Sequence, residues 1–252
     1  MRPMKINILG SGTCVPSLKR YPCSVLVRFQ GVTILVDIGP GIMGQLLKLG
    51  IDTDEIDAIF LSHFHLDHCA DLAPFLFAAK YPEFTRNKKL VLFGGPGFSQ
   101  WLAGVSKAFG RTFDLPEDYF ECVELSGTGQ FDLHGMQVSH MSMAHKPESM
   151  GYRFTDHTGF SLVYSGDTDV TKNLVLLAGD ADILICESAM PDGMKVPGHL
   201  TPSLAGDAAR RAGVKKLVLT HLYPVCDTVD VAAQARKNFG GKVIAAEDLM
   251  ML

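Results

Sequence analysis

At 252 residues and 47% apolar side chains, the chain is long enough to bury a sizeable core, and it reads as one domain over residues 1–252. A net charge of −4 argues against broad electrostatic attraction to nucleic acid, and no apolar run approaches the roughly 18 residues of a membrane span. The six cysteines show no Cys-x-x-Cys spacing and the N-terminus lacks signal-peptide character, so a reduced, cytoplasmic protein is expected.

In chain order, Lys5 to Leu9 reads as a strand ending in the glycine turn Gly10-Ser11-Gly12-Thr13. No Gly-Lys follows at phosphate-loop spacing, so this turn is not a nucleotide cradle. Ser24 to Phe29 and Val32 to Val36 are strands joined at Gln30-Gly31. The second delivers Asp37, which reads equally as a surface turn residue or as a buried acceptor behind a ligand histidine. Ile42 to Leu49 has helical spacing and stops at Gly50. Strand Asp57 to Leu61 is followed by Ser62-His63-Phe64-His65-Leu66-Asp67-His68, and the helical pattern from Leu66 continues to Ala79. If the strand continued, His63, His65 and Asp67 would share a face.

Lys80, Arg86, Lys88 and Lys89 form a small basic group that reads as a solvated loop. Leu90 to Phe93 is a strand and Phe98 to Phe109 a helix. Further strands are expected at Phe120 to Leu125, Phe131 to Leu133 and Gln137 to Met143, with His134 and His140 as exposed strand residues. His145 lies at a strand end before Pro147. Gly151 to Thr155 and Phe160 to Tyr164 pair around Asp156-His157-Thr158-Gly159, with His157 exposed, and the second runs into Ser165-Gly166-Asp167. A helix near Thr171 to Leu177 precedes strand Ile183 to Cys186, which ends in Glu187. After a loop carrying His199, Thr201-Pro202 is a helix start with threonine as the cap, and the helix stops at Gly213. Strand Leu217 to Leu219 leads to His221. A helix near Val229 to Phe239 and strand Val243 to Ala245 finish the chain.

Chemistry-bearing residues recur at strand ends: His63, His145, Asp167, Glu187 and His221. A rigid sheet presents a site in this way. Three histidines and an aspartate within six positions are hard to explain by packing, because Asp is almost never buried unpaired. Imidazole with carboxylate is the donor set that zinc takes, with manganese or iron as alternatives. Cys69 beside the motif reads as a small buried hydrophobe.

Over nearly its whole length the chain resembles the metallo-β-lactamase superfamily, whose signature is the His-x-His-x-Asp-His run at 63–68. Gly10-Ser11-Gly12, Asp37-Ile38-Gly39-Pro40-Gly41, Ser149-x-Gly151-Tyr152-Arg153, Glu187-Ser188-Ala189 and His199-Leu200-Thr201 resemble its ribonuclease Z and phosphodiesterase branch. The resemblance implies an α/β fold, a four-layer αββα sandwich of two mixed β-sheets covered by helices. It implies two divalent metal ions: His63, His65 and His145 on one, Asp67, His68 and His221 on the other, Asp167 bridging. A water between the metals would attack the phosphorus. Asp67 would orient or deprotonate it, and His199, paired with Glu187, would protonate the leaving group.

Ribonuclease Z grips tRNA with an arm inserted soon after the Gly-Tyr-Arg segment, and here Tyr152-Arg153-Phe154 passes through a short turn straight to Phe160. Leu222-Tyr223-Pro224 also departs from that branch. The expected substrate is therefore a small phosphodiester, such as a cyclic nucleotide or cyclic phosphate, or a short RNA end. No stable nucleic-acid complex and no membrane association are expected, and a homodimer follows from the resemblance. tRNA 3′ processing and carbonyl hydrolysis of a lactone, thioester or β-lactam are the enzymatic alternatives. A binding protein with a relic site is the non-catalytic one. Specificity is expected in the loops Pro16 to Arg20, Lys80 to Lys89 and Met190 to Gly198.

Overall fold

A computed structural model of the chain describes residues 4–79, 86, 88–110 and 119–252. Six strands form the first sheet in sequence order: β1 (Lys5–Gly10), β2 (Ser24–Phe29), β3 (Val32–Val36), β4 (Ala58–Phe60), β5 (Leu90–Gly94) and β6 (Phe120–Glu124). β1 to β3 form an antiparallel meander, and β3 to β6 pair in parallel. The second sheet repeats the plan. β7 (Thr128–Leu133), β8 (Met136–Ser142), β9 (Met150–Thr155) and β10 (Ser161–Tyr164) are antiparallel; β11 (Ile183–Glu187), β12 (Lys216–Thr220) and β13 (Lys242–Ala245) continue in parallel from β10.

The near-continuous apolar strands follow from burial on both faces. In β3, Ile34 and Val36 face the other sheet, whereas Leu35 faces outward. The inner layer joins Ile8, Val27 and Phe60 to Val138, Phe154 and Ile185. Outside the first sheet, Leu35, Ile59 and Leu92 pack on α1 (Ile42–Lys48), α3 (Leu72–Ala78) and α4 (Phe98–Ala108). Outside the second, Val163, Leu184 and Leu217 pack on α5 (Lys172–Leu177), α6 (Pro202–Ala212) and α7 (Val231–Arg236). The result is a four-layer αββα sandwich. All six cysteines are free, Cys69 is buried, and no helix among the described residues is long and apolar enough to cross a membrane.

The inner layer fixes the ground beneath the histidine motif. Phe60 stacks on Phe93 with centroids 4.3 Å apart and meets Tyr152 and Phe154 edge-on at 5.1 and 5.3 Å. Each such aromatic pair contributes about 0.5–1.5 kcal/mol beyond its buried area. The second sheet also reaches across directly: the Tyr152 hydroxyl donates to the Leu61 carbonyl at 2.6 Å, and the Met150 amide to the Ser62 carbonyl at 2.8 Å.

Several expectations need correction. The helix expected from Leu66 to Ala79 is two pieces, α2 (Leu66–Cys69) and α3. Pro74 has no amide hydrogen and in a continuous helix its ring would clash with the Ala70 carbonyl, which disfavours an uninterrupted helix. His134 sits at the tip of the β7–β8 hairpin with φ 51°, not on a strand, and is exposed. His140 is on β8 but only 5% exposed, because it shares the inward face with Met136 and Val138. Thr201 occupies the cap position of α6 without making the cap hydrogen bond. Of the basic group, Lys80 lies outside the described residues. Arg86 is buried against the carbonyls of Thr53 and Ile56, and Lys88 and Lys89 pair with Asp57 and Glu121. Only Arg86 departs fully from a solvated loop as a buried strut; Lys88 is half-buried, and Lys89 is exposed as expected.

Candidate metal centre

The carboxyl ends of the parallel strands converge at one edge of the sandwich. β3 ends at Asp37, β4 at the histidine motif, β10 at Asp167, β11 at Glu187 and β12 at His221. The β8–β9 connection brings in His145, and the loop before α6 brings in His199. The motif itself does not continue a strand. β4 stops at Phe60, His65 takes the position before α2, and Asp67 and His68 lie in its single turn.

Two groups of donor atoms result. In the first, His63 Nε2 lies 3.0 Å from His65 Nδ1, and His145 Nε2 lies 3.3 Å from the same nitrogen. Asp167 Oδ2 closes the group at 3.5 Å from His63 Nε2. In the second, His221 Nε2 is 3.4 Å from both Asp67 Oδ2 and Asp167 Oδ2, and His68 Nε2 is 3.4 Å from Asp167 Oδ1. Asp167 belongs to the first group and lies against two donors of the second. His199 joins it and His221 in a third overlapping set.

These groups fit divalent cations. Ligand atoms about 2.0–2.1 Å from a tetrahedral zinc stand roughly 3.3 Å apart, which matches the first group's spacing. His68 Nε2 and Asp167 Oδ1 are fully buried, lie 3.4 Å apart and have no hydrogen-bond partner among the described residues. Such an orphaned pair is costly unless something positive sits between them. Protonation agrees. Burial holds the imidazoles of His63, His65 and His145 below their ordinary pKa, which leaves nitrogen lone pairs free. Burial opposes ionisation of Asp167, but His221, His68 and His63 outweigh it and hold the carboxyl well below the usual range. Asp67 behaves alike, with His221 and His68 outweighing burial. His68 is the exception. Burial disfavours its charge, yet Asp167 and Asp37 on either side raise its pKa well above the ordinary value. A position flanked by two carboxylates calls for a positive charge, and a bound metal would take the place of the proton there.

The supporting residues aim these donors. Asp37 is fully buried, so the surface-turn alternative falls. It accepts from His68 Nδ1 at 2.7 Å, the Tyr164 hydroxyl at 2.7 Å, the Ser62 hydroxyl at 2.8 Å and the Ser62 amide at 2.7 Å. A proton on His68 Nδ1 leaves Nε2 for the cluster. Asp37 and His221 both have positive φ, 59° and 57°, where each strand end turns sharply to present its side chain. Glu187 is buried; it accepts from the Thr168 amide at 3.0 Å and the Ala189 amide at 3.1 Å, and its Oε1 lies 3.1 Å from His199 Nδ1. Burial raises the Glu187 pKa. Burial disfavours charge on His199, but the hydrogen bond and charge of Glu187 prevail and raise it.

Ser62, Tyr164, Thr168 and Gly198 were not singled out from the sequence. The adjacency of Ser62 to His63 and of Thr168 to Asp167 was a usable signal, as was Tyr164 closing the strand that delivers Asp167. Gly39 was quoted for resemblance alone. A Cβ there would fall far inside contact distance of the Asp67 carbonyl oxygen, so glycine lets the Asp37 turn pack against α2.

Asp37 gives a direct expectation. Asp37→Ala should weaken metal affinity about 10–100-fold, measured by chelator competition. Unchanged affinity would mean that Asp37 only fills the core.

Similarity to known proteins agrees with this geometry. A family model described as the beta-lactamase superfamily domain matches residues 32–222. An uncharacterized protein of Mycobacterium tuberculosis (strain ATCC 25618 / H37Rv) is 33% identical over 245 residues, spanning 96% of this chain and 89% of that protein. A protein named Ribonuclease Z from Mycobacterium sp. (strain KMS) is 30% identical over 273 residues, spanning 98% of this chain and 94% of that one. Among solved structures, human tRNase Z, short form, superposes with a TM-score of 0.78 at 25% identity over 98% of both chains. The metallo-beta-lactamase fold protein YhfI from Bacillus subtilis reaches a TM-score of 0.86 at 22% identity over 100% of both, a likeness of fold. Residues 156–160 alone connect β9 to β10, which leaves no arm at that point. The chain belongs to the metallo-β-lactamase superfamily of hydrolases, in the ribonuclease Z-like branch and, among the described residues, without an arm between β9 and β10.

Proposed function

We propose that this protein is a dinuclear metal-dependent phosphodiesterase acting on a small or short phosphodiester: a cyclic nucleotide, a cyclic phosphate or an RNA end. The carrying observation is the His199–Glu187 pair set against the shared carboxylate, with His199 Nδ1 3.8 Å from Asp167 Oδ2. Carbonyl hydrolysis does not require an extra acid of this kind, whereas a poor alkoxide leaving group does.

In this reading His63, His65, His145 and Asp167 hold one ion, and Asp67, His68, His221 and Asp167 hold the other. Zinc suits the donors best, with manganese or iron as alternatives. Two such ions supply a nucleophile from water at neutral pH and charge stabilisation of the phosphoryl oxygens. Asp67, half-buried and ionised, orients the attacking water and takes its proton. Glu187 holds His199 with its proton-bearing nitrogen fixed, and His199 donates a proton to the departing oxygen. A cavity of about 330 Å³, lined in part by Val15, Leu18, Tyr21 and Pro40, adjoins this side: the Cys14 amide, on the same loop, donates to Asp67 Oδ2 at 3.3 Å. That volume suits a small substituent on the phosphate. Of the other loops expected to set specificity, Lys80 to Lys89 falls mostly outside the described residues.

The test is hydrolysis of bis(p-nitrophenyl) phosphate by zinc- or manganese-loaded protein. Turnover should be abolished by EDTA and restored by added metal. No turnover with either metal, or a preference for lactones or thioesters across a matched panel, sinks the reading. tRNA 3′ processing is the second reading, favoured by the relatives named Ribonuclease Z and weakened by the short β9–β10 connection. Cleavage of a precursor tRNA in preference to small diesters would decide for it.

A further inference from the structure

Asp169 takes no part in either donor group, yet it touches the segments that carry His145 and His199. Its backbone amide donates to the Ala144 carbonyl at 2.9 Å, one residue before His145. Its Oδ2 accepts from the Gly198 amide at 2.9 Å, one residue before His199. The Gly198 carbonyl in turn accepts from His145 Nδ1 at 2.9 Å. The polar groups of Gly198 therefore join the Asp169 carboxylate to the imidazole of His145. The proton placed on Nδ1 leaves Nε2 unprotonated toward His63 and His65.

We propose that Asp169 is a positioning residue that acts through Gly198, fixing the His145 imidazole for metal binding and the location of His199 for proton donation. The inference rests on the ligand and acid roles assigned above to those two histidines.

Three further features support it. Gly198 has φ +85°, and a Cβ there would come within 3.0 Å of His145 Nδ1, so the approach of this backbone to the ring is built in. Lys195 Nζ, on the same loop as Gly198, also binds Asp169 Oδ2 at 2.8 Å and the Val196 carbonyl at 2.9 Å. Thr168, between Asp167 and Asp169, links the same parts: its amide donates to Glu187 and its hydroxyl accepts from the Ala144 amide at 3.1 Å. Residues 167–169 thus reach the shared carboxylate site, the Glu187 side of the acid pair and the Gly198 anchor in succession. The Lys195 pair is half-exposed and contributes little on its own. The hydrogen bond to the Gly198 amide is the part that positions.

The experiment uses full-length protein reconstituted with zinc and reads metal affinity by chelator competition, melting temperature, and kcat and KM on bis(p-nitrophenyl) phosphate. Asp169→Ala should weaken metal affinity about 10–100-fold. It should also lower kcat about 10–100-fold with KM nearly unchanged, because a misplacement near 1 Å costs that much. Asp169→Asn keeps an oxygen for the Gly198 amide and should recover most of both. Lys195→Ala should change neither by more than about 2-fold. Gly198→Ala should reproduce Asp169→Ala through the other end of the link. The proposal is overturned if Asp169→Ala leaves metal affinity within about 2-fold of wild type. It is equally overturned if Asp169→Asn is as impaired as Asp169→Ala and both losses follow a drop in melting temperature. Because affinity is read without substrate, a protein that fails to cleave the diester still decides for or against Asp169, while the phosphodiesterase reading falls separately.

Discussion

Asp167→Asn should leave a folded protein that no longer keeps its metal. One buried carboxylate lies 3.4 Å from both His68 Nε2 and His221 Nε2, 3.5 Å from His63 Nε2 and 3.9 Å from His145 Nε2. The amide keeps the shape and removes the negative charge set against both donor groups. Metal analysis after gel filtration should show the complement reduced for both groups together, not for one alone. Turnover of bis(p-nitrophenyl) phosphate should fall about 10³-fold, since charge stabilisation by bound metal is worth several kcal/mol. Wild-type metal content with unimpaired turnover would remove Asp167 from the centre.

His199→Ala should give the opposite separation. Metal content stays at the wild-type level, while kcat falls about 10²–10⁴-fold, the usual contribution of a positioned general acid. Glu187 supplies the internal control. Its carboxylate faces His199 from within the core, where burial has raised its pKa. Glu187→Gln removes the charge behind the imidazole and should reproduce part of the loss in kcat, again with metal retained. The leaving group sharpens the test: substrates with p-nitrophenolate, which leaves without help, should be less sensitive to His199→Ala than alkyl diesters. If His199→Ala instead sheds metal, the residue is a ligand. Its place in an overlapping set with Asp167 and His221 makes that outcome a sharp one.

Much of the candidate site was legible because donors cluster locally. His63, His65, Asp67 and His68 stand together whatever the fold, and the residues after apolar runs, Asp167, Glu187 and His221, mark strand ends. Helix boundaries with local chemistry were legible too: α6 starts at Pro202 and stops at Gly213, whose φ of 70° a glycine adopts freely. Pro74 also carried a legible signal, and the helical spacing across it concealed the break. His140 was misread because alternation along β8 does not say which face is covered; the opposing sheet decides that.

The sequence by itself determined the cluster of candidate donors at 63–68, the order in which the strand-end residues follow it, the layered sandwich and the short link after Tyr152, since these depend on residue type, spacing and length. It could not choose between the two readings of Asp37, and tertiary structure decided between them. Asp37 is a buried acceptor because Tyr164 from the second sheet and His68 from α2 close over it. Asp167 lies against both His63 and His221 because the parallel strands of the two sheets end at one edge, bringing residues from 63 to 221 within a few ångströms. Burial there tunes imidazoles and carboxylates in opposite directions, and no local pattern encodes that desolvation.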